Sequence, residues 1–147
     1  MKPGNIFLDA NSDVKLGDFG LARVMNNESQ FAFTHVGTPY YMSPEQINDQ
    51  KYNEKSDIWS LGCIVYELCA HAPPFKAQNP MALAMKIKEG KFERIPPRYS
   101  EELHRVISWM LCLDQSRRAC VDDLINLPLV SVRLREKRFE EKQQFHY

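Results

Sequence analysis

The chain has 147 residues, 44% of them hydrophobic and 26% charged, with a formal net charge of zero. That length suits one domain able to bury roughly 68–70% of its unfolded surface, and the balanced charge supplies no field that would favour nucleic acid or an anionic membrane. No apolar run approaches the roughly 20 residues a bilayer-spanning helix needs, and Met1-Lys2-Pro3-Gly4 is not followed by the apolar stretch of a secretory signal.

Ile6-Phe7-Leu8 and Val14-Lys15-Leu16 are short β-rich runs on either side of Asp9-Ala10-Asn11-Ser12-Asp13, so a β-hairpin is expected. From Gly17 to Gln50 the pattern lacks sustained periodicity and is rich in Gly, Pro, Ser and Asn, as in a long functional loop. Asn53 is placed to cap a helix running to about Ala70. Its apolar residues (Ile58, Trp59, Leu61, Ile64, Val65, Leu68) lie nearly all round, which marks a buried central helix, and Pro73-Pro74 follows its end. A shorter helix is expected from Pro80 to Glu89, stopped by Gly90. Ser100 caps the next, with Glu101 and Glu102 in its first turn and Val106, Ile107, Met110 and Leu111 as its apolar stripe. Residues 121–126 form a further short helix broken at Leu127-Pro128, and the mixed charges of residues 133–144 read as a solvated helix. Cys63, Cys69, Cys112 and Cys120 show no CxxC pairing and the four histidines are scattered. Reduced thiols in a cytosolic or nuclear protein, without structural metal, are therefore expected.

The chemistry concentrates early in the chain. Asp18-Phe19-Gly20 is preceded by Lys2-Pro3-Gly4-Asn5 and followed by Gly37-Thr38-Pro39-Tyr40-Tyr41-Met42-Ser43-Pro44-Glu45. Phosphoryl transfer needs magnesium held by hard oxygen ligands, and an Asp at a strand end plus an Asn side chain supply them. Gly20 allows a sharp turn after Phe19. Taken singly, Asn5 and Asp18 read as turn residues, Lys2 as a solvated terminal Lys, Phe7 as a core strand residue and Asp57 as an acid stabilising a helix start. The joint spacing outweighs those readings for the metal pair.

These motifs resemble the catalytic half of a eukaryotic serine/threonine protein kinase. Residues 15–23, 36–46 and 52–63, with Glu89-Gly90-Lys91-Phe92, are most similar to the NIMA-related (Nek) family. The resemblance implies a mainly α fold: the helical large lobe over residues 1–130 with a small N-terminal β-hairpin, then a charged helical tail over 131–147. It implies transfer of the γ-phosphate of ATP, with Mg2+, to Ser or Thr of protein substrates, in cell-cycle settings of the cytoplasm, centrosome, cytoskeleton or nucleus.

Carried over by position, Asn5 and Asp18 would be the magnesium ligands and Lys2 would neutralise the transferring phosphate. Thr38 would face the substrate, while Phe7 and Gly17 would line the adenine pocket. Asp57 would accept backbone hydrogen bonds from the catalytic loop. Thr34 would be the activation-loop phosphosite, with Ser29 its competitor. Glu45 would pair with Arg118, with Arg117 the rival. By the same frame the general-base Asp falls one position before Met1, and the Gly-rich loop, strand Lys and helix Glu of the small lobe have no counterpart in these residues. The 147 residues alone are therefore expected to be inactive; the alternative is a short, non-catalytic, pseudokinase-like interaction module. The run Asp114-Gln115-Ser116-Arg117-Arg118-Ala119 lacks the family's flanking prolines, so a looser loop is expected there. Dimerisation through a coiled coil beyond the tail is a family habit, although the apolar spacing of residues 133–144 is too irregular for heptads.

Overall fold

The computed structural model describes residues 1–17 and 39–144. Asp18, Ser29, Thr34 and Thr38 lie outside the described residues.

A single 3-10 turn over Pro3–Asn5 leads into a two-stranded antiparallel hairpin, β1 (Ile6–Leu8) and β2 (Val14–Leu16). Ile6 is paired with Leu16, Phe7 with Lys15 and Leu8 with Val14. The turn forms because one Asp9 carboxylate oxygen accepts from the backbone N–H groups of both Asn11 and Asp13, each at 2.9 Å. Ser12 takes the left-handed conformation at φ 64° that closes it.

Among the described residues six helices follow: α1 (Pro44–Ile47), α2 (Glu54–Ala70), α3 (Pro80–Glu89), α4 (Glu101–Met110), α5 (Val121–Ile125) and α6 (Pro128–Gln144). The caps read from the sequence are in place. Asn53 accepts from the Lys55 N–H at 2.9 Å, Ser100 from the Leu103 N–H at 3.1 Å, and Gly90 closes α3 at φ 66°. His71, also left-handed at φ 57°, ends α2 ahead of the prolines. Two boundaries differ from expectation. The one-turn helix α1 is too short to show a period, yet Ser43 and Gln46 form a reciprocal capping box around it. Pro128 does not merely break α5: it opens α6, which runs unbroken past Val130 and starts five residues before Arg133.

Helix α2 is the axis of the core, with Ile58, Trp59, Cys63, Ile64, Tyr66 and Cys69 buried. The expectation that it is apolar all round holds for most of its length and fails at Leu68, which is 71% exposed near the C-terminal end. Trp59 stacks on Phe75 with ring centroids 5.6 Å apart, and Phe92 meets both Phe75 and Tyr66 edge-on. Helix α4 packs across α2 and buries Ile107, Met110 and Leu111 of its expected stripe. Their approach is close because Gly62 lacks a side chain: a Cβ there would sit 2.8 Å from the Met110 Cβ. All four cysteines are free thiols.

Candidate active site

The hairpin brings together the residues on either side of it. The Gly17 N–H donates to the Asn5 carbonyl at 2.8 Å, and the Asn5 N–H donates to the Lys2 carbonyl at 3.0 Å. Lys2, Asn5 and Gly17 therefore form one hydrogen-bonded corner, and Asp18 is the next residue along the chain. Asn5 is half-buried, and its side chain has no hydrogen-bond partner among the described residues. The Phe7 ring lies over Gly17 so tightly that a Cβ at position 17 would be 2.5 Å from the ring. Phe7 is 53% exposed. It is not a core strand residue but an open aromatic face bordered by a glycine.

Asp57, in the first turn of α2, accepts a hydrogen bond from the Tyr52 hydroxyl, and the Met1 amino nitrogen is 3.9 Å from it. The start of α2 thus faces the first residues of the chain as well as stabilising its own N-terminus.

A second arrangement anchors the loop that follows Pro39. Arg118 grips Glu45 with two parallel hydrogen bonds, Nη1 to Oε1 at 2.6 Å and Nη2 to Oε2 at 3.0 Å. Both residues are 1% exposed. Ser56 Oγ donates to the same Glu45 oxygen at 2.8 Å. The remaining guanidinium protons go to carbonyls: Nε to Cys112 at 2.9 Å, Nη1 to Lys55 at 2.7 Å and Nη2 to Leu113 at 3.4 Å. The guanidinium also lies 5.1 Å from the centroid of the Trp59 ring. Burial alone would raise the Glu45 pKa, but the hydrogen bonds from Arg118 and Ser56 outweigh it and hold the carboxyl below its ordinary range. Arg117 is exposed and does not compete; its carbonyl accepts from the Trp109 indole at 2.8 Å.

The loop carrying these arginines is firmly tied despite its missing prolines. Asp114 accepts from the Ser116 N–H and hydroxyl at 2.9 and 2.7 Å, and the Asn53 side chain reaches Gln115 at 2.8 Å. These hydrogen bonds, rather than proline rings, are what tie the loop.

Three further contacts are not marked in the sequence. Tyr41 donates its hydroxyl to Glu67 on α2 at 2.5 Å, Ser60 donates to the Tyr41 carbonyl at 2.9 Å, and Ser56 joins the ion pair. Burial, reinforced by the neighbouring Glu67 carboxylate, pushes the Tyr41 hydroxyl pKa well up, so Tyr41 stays a neutral donor. The clue was Glu67 itself, an acid in the second half of a helix that is otherwise strongly apolar. Tyr41 is thus tied to α2 through Glu67 and Ser60, and Glu45 through Ser56.

With that geometry in view, comparison with known proteins is decisive. A protein kinase domain model matches residues 1–130. The chain is 59% identical over 131 residues to the human serine/threonine-protein kinase Nek2, covering 89% of this chain and 29% of that one. It is 51% identical over 141 residues to the G2-specific protein kinase nim-1 of Neurospora crassa (96% and 16%), and 48% identical over 136 to the G2-specific protein kinase nimA of Emericella nidulans (92% and 19%). The chain spans less than a third of the length of each of these three relatives. It belongs to the protein kinase domain family, in the NIMA-related serine/threonine branch.

Proposed function

We propose that these residues are the large-lobe part of an ATP-dependent protein kinase that transfers the γ-phosphate to Ser or Thr of protein substrates. The observation that carries this reading is the Gly17-to-Asn5 hydrogen bond at 2.8 Å, which joins the two ends of the hairpin next to which both proposed magnesium ligands lie. The Asn5 amide oxygen and the Asp18 carboxylate are the hard donors magnesium prefers. When bound, Mg2+ with ATP supplies charge neutralisation across the phosphates.

The chain's own residues do the positioning. Phe7 offers its exposed face to the purine, with Gly17 leaving room beside it. Lys2 places a cation beside the transferred group, and Thr38 orients the substrate-facing loop toward it. Asp57 holds the start of the catalytic loop. The Glu45–Arg118 pair, with Tyr41 and Glu67, keeps the docking loop in one place, so that positioning rather than covalent chemistry accounts for the rate. Thr34 is the activating phosphosite in this reading, with Ser29 as the rival. The names of the fungal relatives, both G2-specific protein kinases, favour a cell-cycle role; the location in this reading is the cytoplasm, with the centrosome, cytoskeleton or nucleus as alternative sites of action.

The 147 residues by themselves carry no general-base Asp in this frame, and losing a general base typically costs about 10²–10⁴ in rate. Joined behind the part of human Nek2 that precedes the matching segment, they should phosphorylate a Ser/Thr peptide, and Asp18→Ala should abolish that. Alone, they should incorporate no more labelled phosphate than their own Asp18→Ala variant. A folded but inactive chimera would overturn the reading in favour of a non-catalytic interaction module.

A further inference from the structure

Helix α3 has two faces of opposite design. Leu83 and Ile87 are fully buried at 0% exposure, and the helix packs against α1. On the far side, one turn apart, Met81 and Met85 are 78% and 61% exposed. A helix surface normally turns polar residues outward, and two methionines directly opposite the buried stripe are an apolar strip with nothing upon it among the described residues. The surroundings are basic although the whole chain is neutral. Residues 76–91 hold Lys76, Lys86, Lys88 and Lys91 against Glu89 alone, and all four lysines are exposed. Lys86 leans on the Lys76 carbonyl at 2.6 Å, and the helix end favours cations at Lys86 and Lys88. Neither effect accounts for Lys91 or for the methionines between them.

We propose that the outer face of α3 is a docking surface for an acidic, amphipathic helical segment of a partner protein, whose apolar stripe lies on Met81 and Met85 and whose carboxylates meet the surrounding lysines. Methionine fits such a surface because its unbranched, polarisable side chain remodels around differently shaped partners. The occupant's sign follows from the lysines, which would repel a basic helix and attract an acidic one at a rate that salt reduces. The inference needs no phosphoryl transfer, so its test stands apart from that of the kinase reading.

The full 147-residue chain, labelled at methionine methyl groups, is titrated with a designed helical peptide about four turns long, bearing leucines on one face and glutamates elsewhere. The control carries lysine in place of each glutamate. The expected result is movement of the Met81 and Met85 signals but not of buried Met110, with affinity falling as salt rises. Met81→Glu/Met85→Glu should weaken binding by about tenfold or more, as should Lys88→Glu/Lys91→Glu, with the thermal transition unchanged. Equal binding of the lysine peptide, shifts centred elsewhere, or no binding would overturn the proposal. So would a concentration-dependent dimer abolished by Met81→Glu, because the face would then belong to a second copy of the chain.

Discussion

The hairpin and the helical body stand at opposite ends of a scale of burial. In the hairpin, Phe7, Leu8, Val14 and Leu16 are all about half-exposed or more, from 49% to 67%, and two three-residue strands hold little by themselves. In the body, Trp59, Phe75, Leu83, Ile87, Ile107 and the Glu45–Arg118 pair are essentially sealed from water. The described site candidates Asn5, Phe7 and Gly17 belong to the first region, and the anchors of the loop that follows Pro39 belong to the second. Chemistry that must meet a nucleotide has to sit where solvent can reach. A loop that must hold one shape is tied where solvent cannot.

If that division is real, the largest losses should come from the sealed region. Arg118→Ala leaves the Glu45 carboxylate buried without its partner, which typically costs about 3–5 kcal/mol, and Glu45→Ala strands the guanidinium in the same way. Chemical denaturation should show a drop of that size for each, and the double variant should cost much less than the sum. Additive losses would mean the two residues act separately.

Next in size is Gly62→Ala. A helix-interior Ala gains roughly 1 kcal/mol in propensity, but overpacking costs about 1–3 kcal/mol. The clashing Met110 Cβ is fixed to the α4 backbone and cannot swing aside, so the overpacking cost falls toward its upper end and a net loss of up to about 2 kcal/mol is expected by the same two principles. A stabilised variant would show that α2 and α4 can separate more freely than their packing implies.

Acid sharpens the contrast. Glu45 has a folded pKa below its ordinary 4.5, so it binds fewer protons when folded than when unfolded. Its stabilising contribution is complete above about pH 4.5 and is lost as the pH falls through the lower folded value. Denaturation curves taken down that interval should fall more steeply for the wild type than for Glu45→Gln. Equal slopes would assign the acid sensitivity to other carboxyls, such as Asp9, whose pKa the backbone N–H of Asp13 lowers.

The smallest effect is expected at the hairpin turn, where Lys137 of α6 meets Asp13 at 2.6 Å on an open surface. Lys137→Ala should leave the unfolding midpoint almost unmoved and should mainly quicken amide exchange in the hairpin, an effect that disappears in high salt. A stability loss matching that of Arg118→Ala would dissolve the distinction between the two regions.

Local chemistry made most of the fold legible in the sequence. Asn53, Ser100 and Gly90 announce helix ends through hydrogen bonds and φ angles that span only a few residues, and the Asp9 turn does the same for the hairpin. The one-turn α1 was hidden because four residues cannot display a period, although Ser43 and Gln46 spelled out its cap. Leu68 misled because periodicity reports which residues are apolar and not which faces meet a neighbour. In the site, Glu45 and Arg118 were legible only through family resemblance, being 73 positions apart. The Tyr41–Glu67 and Ser60–Tyr41 bonds were missed because nothing local marks a side chain's distant partner.

That 73-residue separation also bears on the order in which the protein takes shape during synthesis. The hairpin and the cap of α2 are closed by near neighbours and can form as soon as they emerge. Glu45, by contrast, has no cation to receive it until Arg118 has been made, and bringing together ends so far apart is the slow kind of step in folding. At a ribosome adding about 5–20 residues each second, the loop that follows Pro39 therefore waits several seconds for its lock. Any ribosomal pause between residues 45 and 118 lengthens the interval in which an acid bound for the interior is still open to water and to chaperones.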